Sequence, residues 1–228
     1  MNILALDSSQ EVLSVALESG SRVFYMEIDA GQRHSELLME CVETLCNLAE
    51  IRPADLNLVA CMKGPGSFTG LRIAYSTAKG LSVALGIPLV AIPTLDCLAW
   101  HLSTWPGIII PAMDAKQGRF FTALYRQGKQ LSSYMDTAPE TLIEEIEKAG
   151  LSPDEKIILT GPGAGLLISR LTEPAMQMDT YIIDLQFNRG RARELLEIAK
   201  NATITGTEHL DSGPLYLRKS DAELNRKP

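Results

Sequence analysis

The chain has 228 residues, 46% of them hydrophobic and 21% charged, enough for one large or two small domains around a substantial core. Its net charge of −7 excludes a surface that draws nucleic acid or anionic membrane by its overall field. An RNA contact would need a local basic patch or a partner.

In chain order, Asn2 to Leu6 reads as an apolar strand ending in Asp7-Ser8-Ser9. Residues 12–17 and 23–28, joined through the turn Gly20-Ser21, complete an antiparallel meander. A polar link, Gly31 to Glu36, leads to a helix whose apolar positions (Leu37, Leu38, Cys41, Val42, Leu45, Leu48, Ala49) recur with helical period. After Pro53, residues 57–62 form a strand that runs into Lys63-Gly64-Pro65-Gly66-Ser67-Phe68-Thr69-Gly70-Leu71-Arg72. Residues 71–85, rich in Ala and Leu and free of Pro, continue as a helix. A buried strand (87–92) and a short helix (94–101) follow. Trp105-Pro106-Gly107 then marks a junction between a first lobe, 1–105, and a second, 106–228.

The glycine loop admits two readings. Ser67 and Thr69 are candidate N-caps, and backbone N–H groups at a helix start can cradle phosphate. Yet the loop fits neither the Walker spacing nor G-x-G-x-x-G, and a tight turn that seats a helix on a sheet explains the same glycines. The helix beyond carries Gly70, Ala74, Ala78, Ser82 and Gly86 at four-residue intervals. Such a smooth ridge lets another helix approach closely. With Lys79 the only charge between Arg72 and the helix end, the ridge is expected to face a second subunit.

The second half repeats the first. Leu4-Ala5-Leu6-Asp7 corresponds to Pro111-Ala112-Met113-Asp114 at an offset of 107, and Val15-Ala16-Leu17 falls on Thr122-Ala123-Leu124. A strand at 157–160 runs into Gly161-Pro162-Gly163 and a helix, as the earlier strand runs into Gly64-Pro65-Gly66. The expectation is a two-lobed α/β protein of duplicated units. A helix ending at Glu173-Pro174, a strand at 181–185, a helix at 192–200 that returns to the first lobe, and an extended tail from Gly206 complete the chain.

A duplicated fold with Asp at the end of its first strand has the layout of the actin/Hsp70/sugar-kinase superfamily, built on the ribonuclease H-like fold. Several stretches more specifically resemble the TsaB (YeaZ) family. They are Ile3-Leu4-Ala5-Leu6-Asp7-Ser8-Ser9, His34-Ser35-Glu36, the nonapeptide 64–72, Asp114-Ala115 and Pro214-Leu215-Tyr216-Leu217-Arg218. The resemblance implies a non-catalytic partner of TsaD in synthesis of N6-threonylcarbamoyladenosine (t6A) in tRNA, with the ATPase TsaE joining the assembly. It further implies contact through the helices after His34 and Gly70, and homodimers through the same face. The implied contact residues are His34, Leu38, Cys41, Gly70, Arg72, Ala74, Ala78 and Ser82. tRNA would be reached through the complex.

Asp7, Ser8, Gly64, Gly66, Ser67 and Thr69 are the candidates to lie near a nucleotide or phosphate, with Asp114 as a second acid for Mg²⁺ between the lobes. The alternative, which fits Asp114 better, is an acid that simply ends its strand and caps the turn. The first reading supports the rival function, an ATP-dependent kinase or ATPase acting on a small molecule. No glycine follows Asp7 to admit phosphate, so ATP or ADP with Mg²⁺ is expected only at a composite interface with partners. His34, His101 and His209 are scattered and make no metal site. The cluster Arg189, Arg191, Arg193 reads first as a solvated helix start, with contact to tRNA phosphate as the alternative, and Arg72 is placed to hold a carboxylate or a phosphate bidentately.

The four cysteines, without a C-x-x-C pair, read as buried thiols of a reducing compartment. The start lacks a basic leader, and the apolar stretch 81–93 contains Gly86 and Pro88. A cytoplasmic protein without a membrane segment is expected.

Overall fold

A computed structural model of the protein describes residues 1–150, 152, 155–171, 180–186, 188–201 and 213–218. The expected helix end at Glu173-Pro174, His209 and the tail on either side of 213–218 lie outside the described residues. The chain forms two compact units, Met1–Cys97 with Gly190–Tyr216, and Leu98–Arg189 with Leu217–Pro228. The junction expected at 105/106 therefore falls inside the second unit. There Trp105 Nε1 donates to the Lys156 carbonyl (3.3 Å), and Gly107 packs against that same oxygen.

In the first unit β1 (Asn2–Asp7), β2 (Val12–Ser19), β3 (Arg22–Asp29), β4 (Leu58–Gly64) and β5 (Leu89–Pro93) form a sheet ordered β3-β2-β1-β4-β5. Tight turns make β1 to β3 antiparallel, whereas β4 and β5 run parallel to β1. Parallel neighbours need crossovers, and α1 (His34–Leu48) with the 3₁₀ turn Pro53–Asp55, then α2 (Phe68–Leu85), supply them. The helix α3 (Thr94–Trp100) follows β5.

Strand β1 is buried on both sides. Leu4 and Leu6 share a core with Leu13, Val15, Val59 and Cys61 beneath α1 and α2. Ile3 and Ala5 face the other core, shared with α6 (Ala192–Asn201). This double burial is why 3–6 reads as an unbroken apolar run. Ala16, Ala5 and Ala60 stand in register across β2, β1 and β4, a bare strip over which Ala192 and Ala199 pack.

The second unit contains β6 (Ile108–Asp114), β7 (Phe120–Thr122), β8 (Tyr125–Arg126), β9 (Lys129–Gln130), β10 (Met135–Thr137), α4 (Pro139–Lys148), β11 (Ile157–Thr160), α5 (Ala164–Arg170) and β12 (Tyr181–Ile183). Its sheet follows the order β10-β7-β6-β11-β12, strand for strand that of the first. The duplication has one register correction. Asp7 pairs with Ser14 but Asp114 pairs with Phe120, so the second hairpin is one residue shorter. The counterparts of 15–17 are therefore 121–123. A slip of one residue exchanges the two faces of a strand. The ladder also lapses at Ala123 and Leu124, where Pro111 has no N–H to offer, and the long β2 is answered by the short pieces β7 and β8. No helix among the described residues is long and apolar enough to cross a membrane.

Candidate functional site

The segments expected near a nucleotide meet in the first unit, and they close on each other. Asp7 is fully buried at the end of β1. Its Oδ1 accepts the Ser9 backbone N–H (2.9 Å) and hydroxyl (2.6 Å), and its Oδ2 accepts the Arg191 N–H (2.9 Å) ahead of α6. The Ser14 hydroxyl accepts the next N–H, from Ala192 (3.0 Å). Asp7 and Ser14 thus cap α6, where a negative charge at the helix start is favourable.

The Ser8 hydroxyl donates to the Gly70 carbonyl (2.7 Å), and the Ser67 N–H donates to the Ser9 carbonyl (2.8 Å). Gly70 packs so closely that a Cβ there would overlap the Ser8 carbonyl oxygen. Ser67 is the N-cap of α2, accepting the Gly70 N–H (3.2 Å), while Thr69 stands exposed in the first turn. The β1–β2 loop therefore fills the space a phosphate would need. Asp7 has both oxygens engaged and no access to solvent, so these residues do not fit a Mg²⁺-nucleotide.

The small-residue ridge exists but faces inward. Gly70, Ala74, Ala78 and Ser82 are buried as α2 packs on β4 and β1, and the Ser82 hydroxyl donates to the Ile87 carbonyl (2.6 Å). His34, Leu38 and Cys41 belong to the corresponding buried stripe of α1, with Val42, Leu45 and Cys46. These side chains pack within the chain, where the sequence reading has them facing another one. A crossover helix lies on its own sheet, and its smoothest stripe gives the closest approach. Burial, then the Glu40 charge, pushes the Cys41 thiol up, so it is inert at neutral pH. His34 is buried with its Nε2 lacking a hydrogen-bond partner.

A different set of side chains is left outside. Ser35, Phe68, Arg72, Ile73, Ser76 and Thr77 line a shallow groove between the start of α1 and α2. Met39, Leu48 and Val83 stand exposed on the same two helices, Val83 at 66%. Arg72 is the one expected contact residue found on this side. Its guanidinium carbon lies 3.8 Å from the Phe68 ring centroid, and its Nε donates to the Tyr216 hydroxyl (3.2 Å). Phe68 and Ser76 were not singled out in the sequence, although Phe68, Arg72 and Ser76 recur at the same four-residue spacing as the ridge, on the opposite side of the helix. That spacing was the available signal.

In the second unit Asp114 ends β6 partly exposed, its oxygens accepting the Lys116 N–H (2.7 Å) and Nζ (2.9 Å). Burial raises its pKa, but the Lys116 hydrogen bonds and charge, with Arg170, outweigh this and hold it below the usual carboxylate range. Asp184 Oδ2 gathers His101 Nε2 (2.9 Å) and the Thr160 hydroxyl (2.8 Å). Of the expected basic cluster, Arg191 is buried against Glu194 (3.0 Å), whereas Arg189 and Arg193 are exposed. The three do not form one surface patch. Among the described residues no group of three or more His, Cys, Asp or Glu side chains is placed to hold a metal ion.

Two halves of ribonuclease H-like strand order, each with an acid ending its first strand, define a protein of the actin/Hsp70/sugar-kinase class. The family model described as TsaD, tRNA N6-adenosine threonylcarbamoyltransferase, matches residues 28–225. The tRNA threonylcarbamoyladenosine biosynthesis protein TsaB of Bacillus subtilis is 29% identical over 98% of this chain and 96% of its own length. TsaB of Buchnera aphidicola subsp. Schizaphis graminum is 32% identical over 71% of this chain and 78% of its own. A crystal structure of a Pseudomonas aeruginosa protein described as similar to peptidase YEAZ superposes with a TM-score of 0.76 at 26% identity, covering 95% of this chain and 99% of that one. The chain belongs to the TsaB (YeaZ) branch of the family that the TsaD model describes.

Proposed function

We propose that this protein is a non-catalytic scaffold and activator of t6A synthesis on tRNA, pairing with a TsaD subunit in the cytoplasm. The observation that carries the reading is the outer face of α1 and α2. It joins exposed Met39, Phe68 and Val83 to the cation Arg72 beside a groove of small hydroxyl side chains, a mixture suited to a protein partner. The sealed state of Asp7 argues in the same direction, against an ATP-dependent kinase. Pairing would act by favouring one conformation of the partner. Mg²⁺-ATP or ADP, if used, would take its ligands from the partners at a composite site. TsaE, and a second copy of this chain, would be alternative or additional occupants, and tRNA would be held by the assembly.

Ser76→Arg tests the pairing. Ser76 is exposed on α2, so the substitution is expected to change stability by no more than about 0.5 kcal/mol and to abolish co-elution with TsaD. A folded Ser76→Arg chain that binds TsaD as wild type does would overturn the reading. Ala78→Arg is unsuitable for this purpose, because Ala78 is fully buried and a charge there attacks the core.

A further inference from the structure

The stretch Pro214-Leu215-Tyr216-Leu217-Arg218 is unexplained by the scaffold reading, yet Leu215 and Tyr216 are attached to the most distinctive loop of the first unit. The Leu215 N–H donates to the Lys63 carbonyl (2.6 Å) at the end of β4. The next residue, Gly64, has φ +111°, and an ideal Cβ on it would lie 2.5 Å from the Leu215 carbonyl oxygen. Only glycine lets the segment seat there. Seating fixes the following residue: the Tyr216 ring lies 5.2 Å from Phe68, tilted 36°. Its hydroxyl accepts from Arg72 Nε at 3.2 Å, on the guanidinium whose carbon stands 3.8 Å from the Phe68 centroid.

Arg72 is exposed and lines the α1/α2 groove. Its Nε edge is taken by Tyr216 and one flat face by Phe68, while no carboxylate pairs with it among the described residues. A free arginine side chain loses considerable rotamer entropy on binding. One already stacked and hydrogen-bonded has lost part of it, and its two terminal nitrogens can meet a carboxylate bidentately.

We propose that Tyr216 is a positioning residue: docked on the glycine loop by Leu215, it holds Arg72 against Phe68 so that the guanidinium is presented at the groove to a carboxylate of the partner subunit. This rests on the pairing proposed above. Tyr216 touches the partner only through Arg72.

The test uses the full-length chain, in which Tyr216→Phe keeps the ring and removes the hydroxyl, Tyr216→Ala removes both, and Arg72→Gln removes the cation. In the isolated chain, the Arg72 Nε–H signal in nitrogen-15 spectra is expected to exchange slowly in wild type and at least several-fold faster in Tyr216→Phe. Equal exchange in the two overturns the positioning, whether or not a partner binds. In calorimetric titration with purified TsaD, Arg72→Gln is expected to weaken binding about tenfold, the worth of one charged hydrogen-bonded contact. Tyr216→Ala is expected to weaken binding several-fold in the wild-type background and to have no effect on top of Arg72→Gln.

Equal effects of Tyr216→Ala in both backgrounds would overturn the inference and leave the pairing intact. Failure of the wild-type chain to bind TsaD would overturn the pairing and with it the presentation to a partner. A loss confined to RNA affinity, measured on the assembled complex, would overturn the carboxylate assignment in favour of phosphate.

Discussion

The two hairpins that open the two halves start from the same residue and use it differently. Asp7 is fully buried and reaches across the sequence to the start of α6, whereas Asp114 is partly exposed and bonds to Lys116 two residues on. The second half has its own buried acid at another strand end, Asp184 after β12, tied to Thr160 and His101. Duplication copied the backbone order but not the assignment of the acids. Which carboxylate becomes structural depends on what packs over the strand end, and in the first unit that element is α6.

The contrast is broken or sharpened by three substitutions. The largest effect is expected for Asp7→Ala, which leaves the Arg191 and Ser9 N–H groups buried without acceptors. A loss of about 3 kcal/mol in urea unfolding is expected, and a cost below about 1 kcal/mol would remove the distinction between the hairpins.

Asp184→Asn is expected to cost about 2 kcal/mol. Burial raises the Asp184 pKa, but the Gln186 N–H, Thr160 and His101 overcome it and lower the folded value. Its contribution is therefore complete above the unfolded carboxylate value of about 3.9 and is lost as pH falls through the folded one. The stability difference between wild type and Asp184→Asn should accordingly shrink on acidification below about pH 4. A difference that grows there would reverse the sign of the assigned shift. The smallest effect belongs to Asp114→Ala, under about 1 kcal/mol for a partly exposed local pair.

Much of the fold could be read before the structure. The meander, the crossovers and the second Gly-Pro-Gly followed from alternation, helical period and turn residues, because these are set by neighbours close in sequence. The repeat was legible in order but slipped by one residue after Asp114, since a hairpin length is not fixed by matching tetrapeptides. The candidate contact face was half legible. Arg72 lies on the outer side of α2, but the ridge through Ala74 and Ala78 was assigned outward when it faces β4. A stripe of small residues says that something comes close, not whether the neighbour is the chain's own sheet or another molecule.

The sequence by itself determined the element order, the duplication and the family, through short stretches whose residue types are dictated locally. Only the tertiary structure decided that Asp7 caps a helix more than a hundred positions away, that Gly64 makes room for Leu215, and that Tyr216 meets Arg72. Each of these is a contact between distant segments, set by how helices and strands close over one another. Local pattern carries no record of which distant atoms will fill a given space.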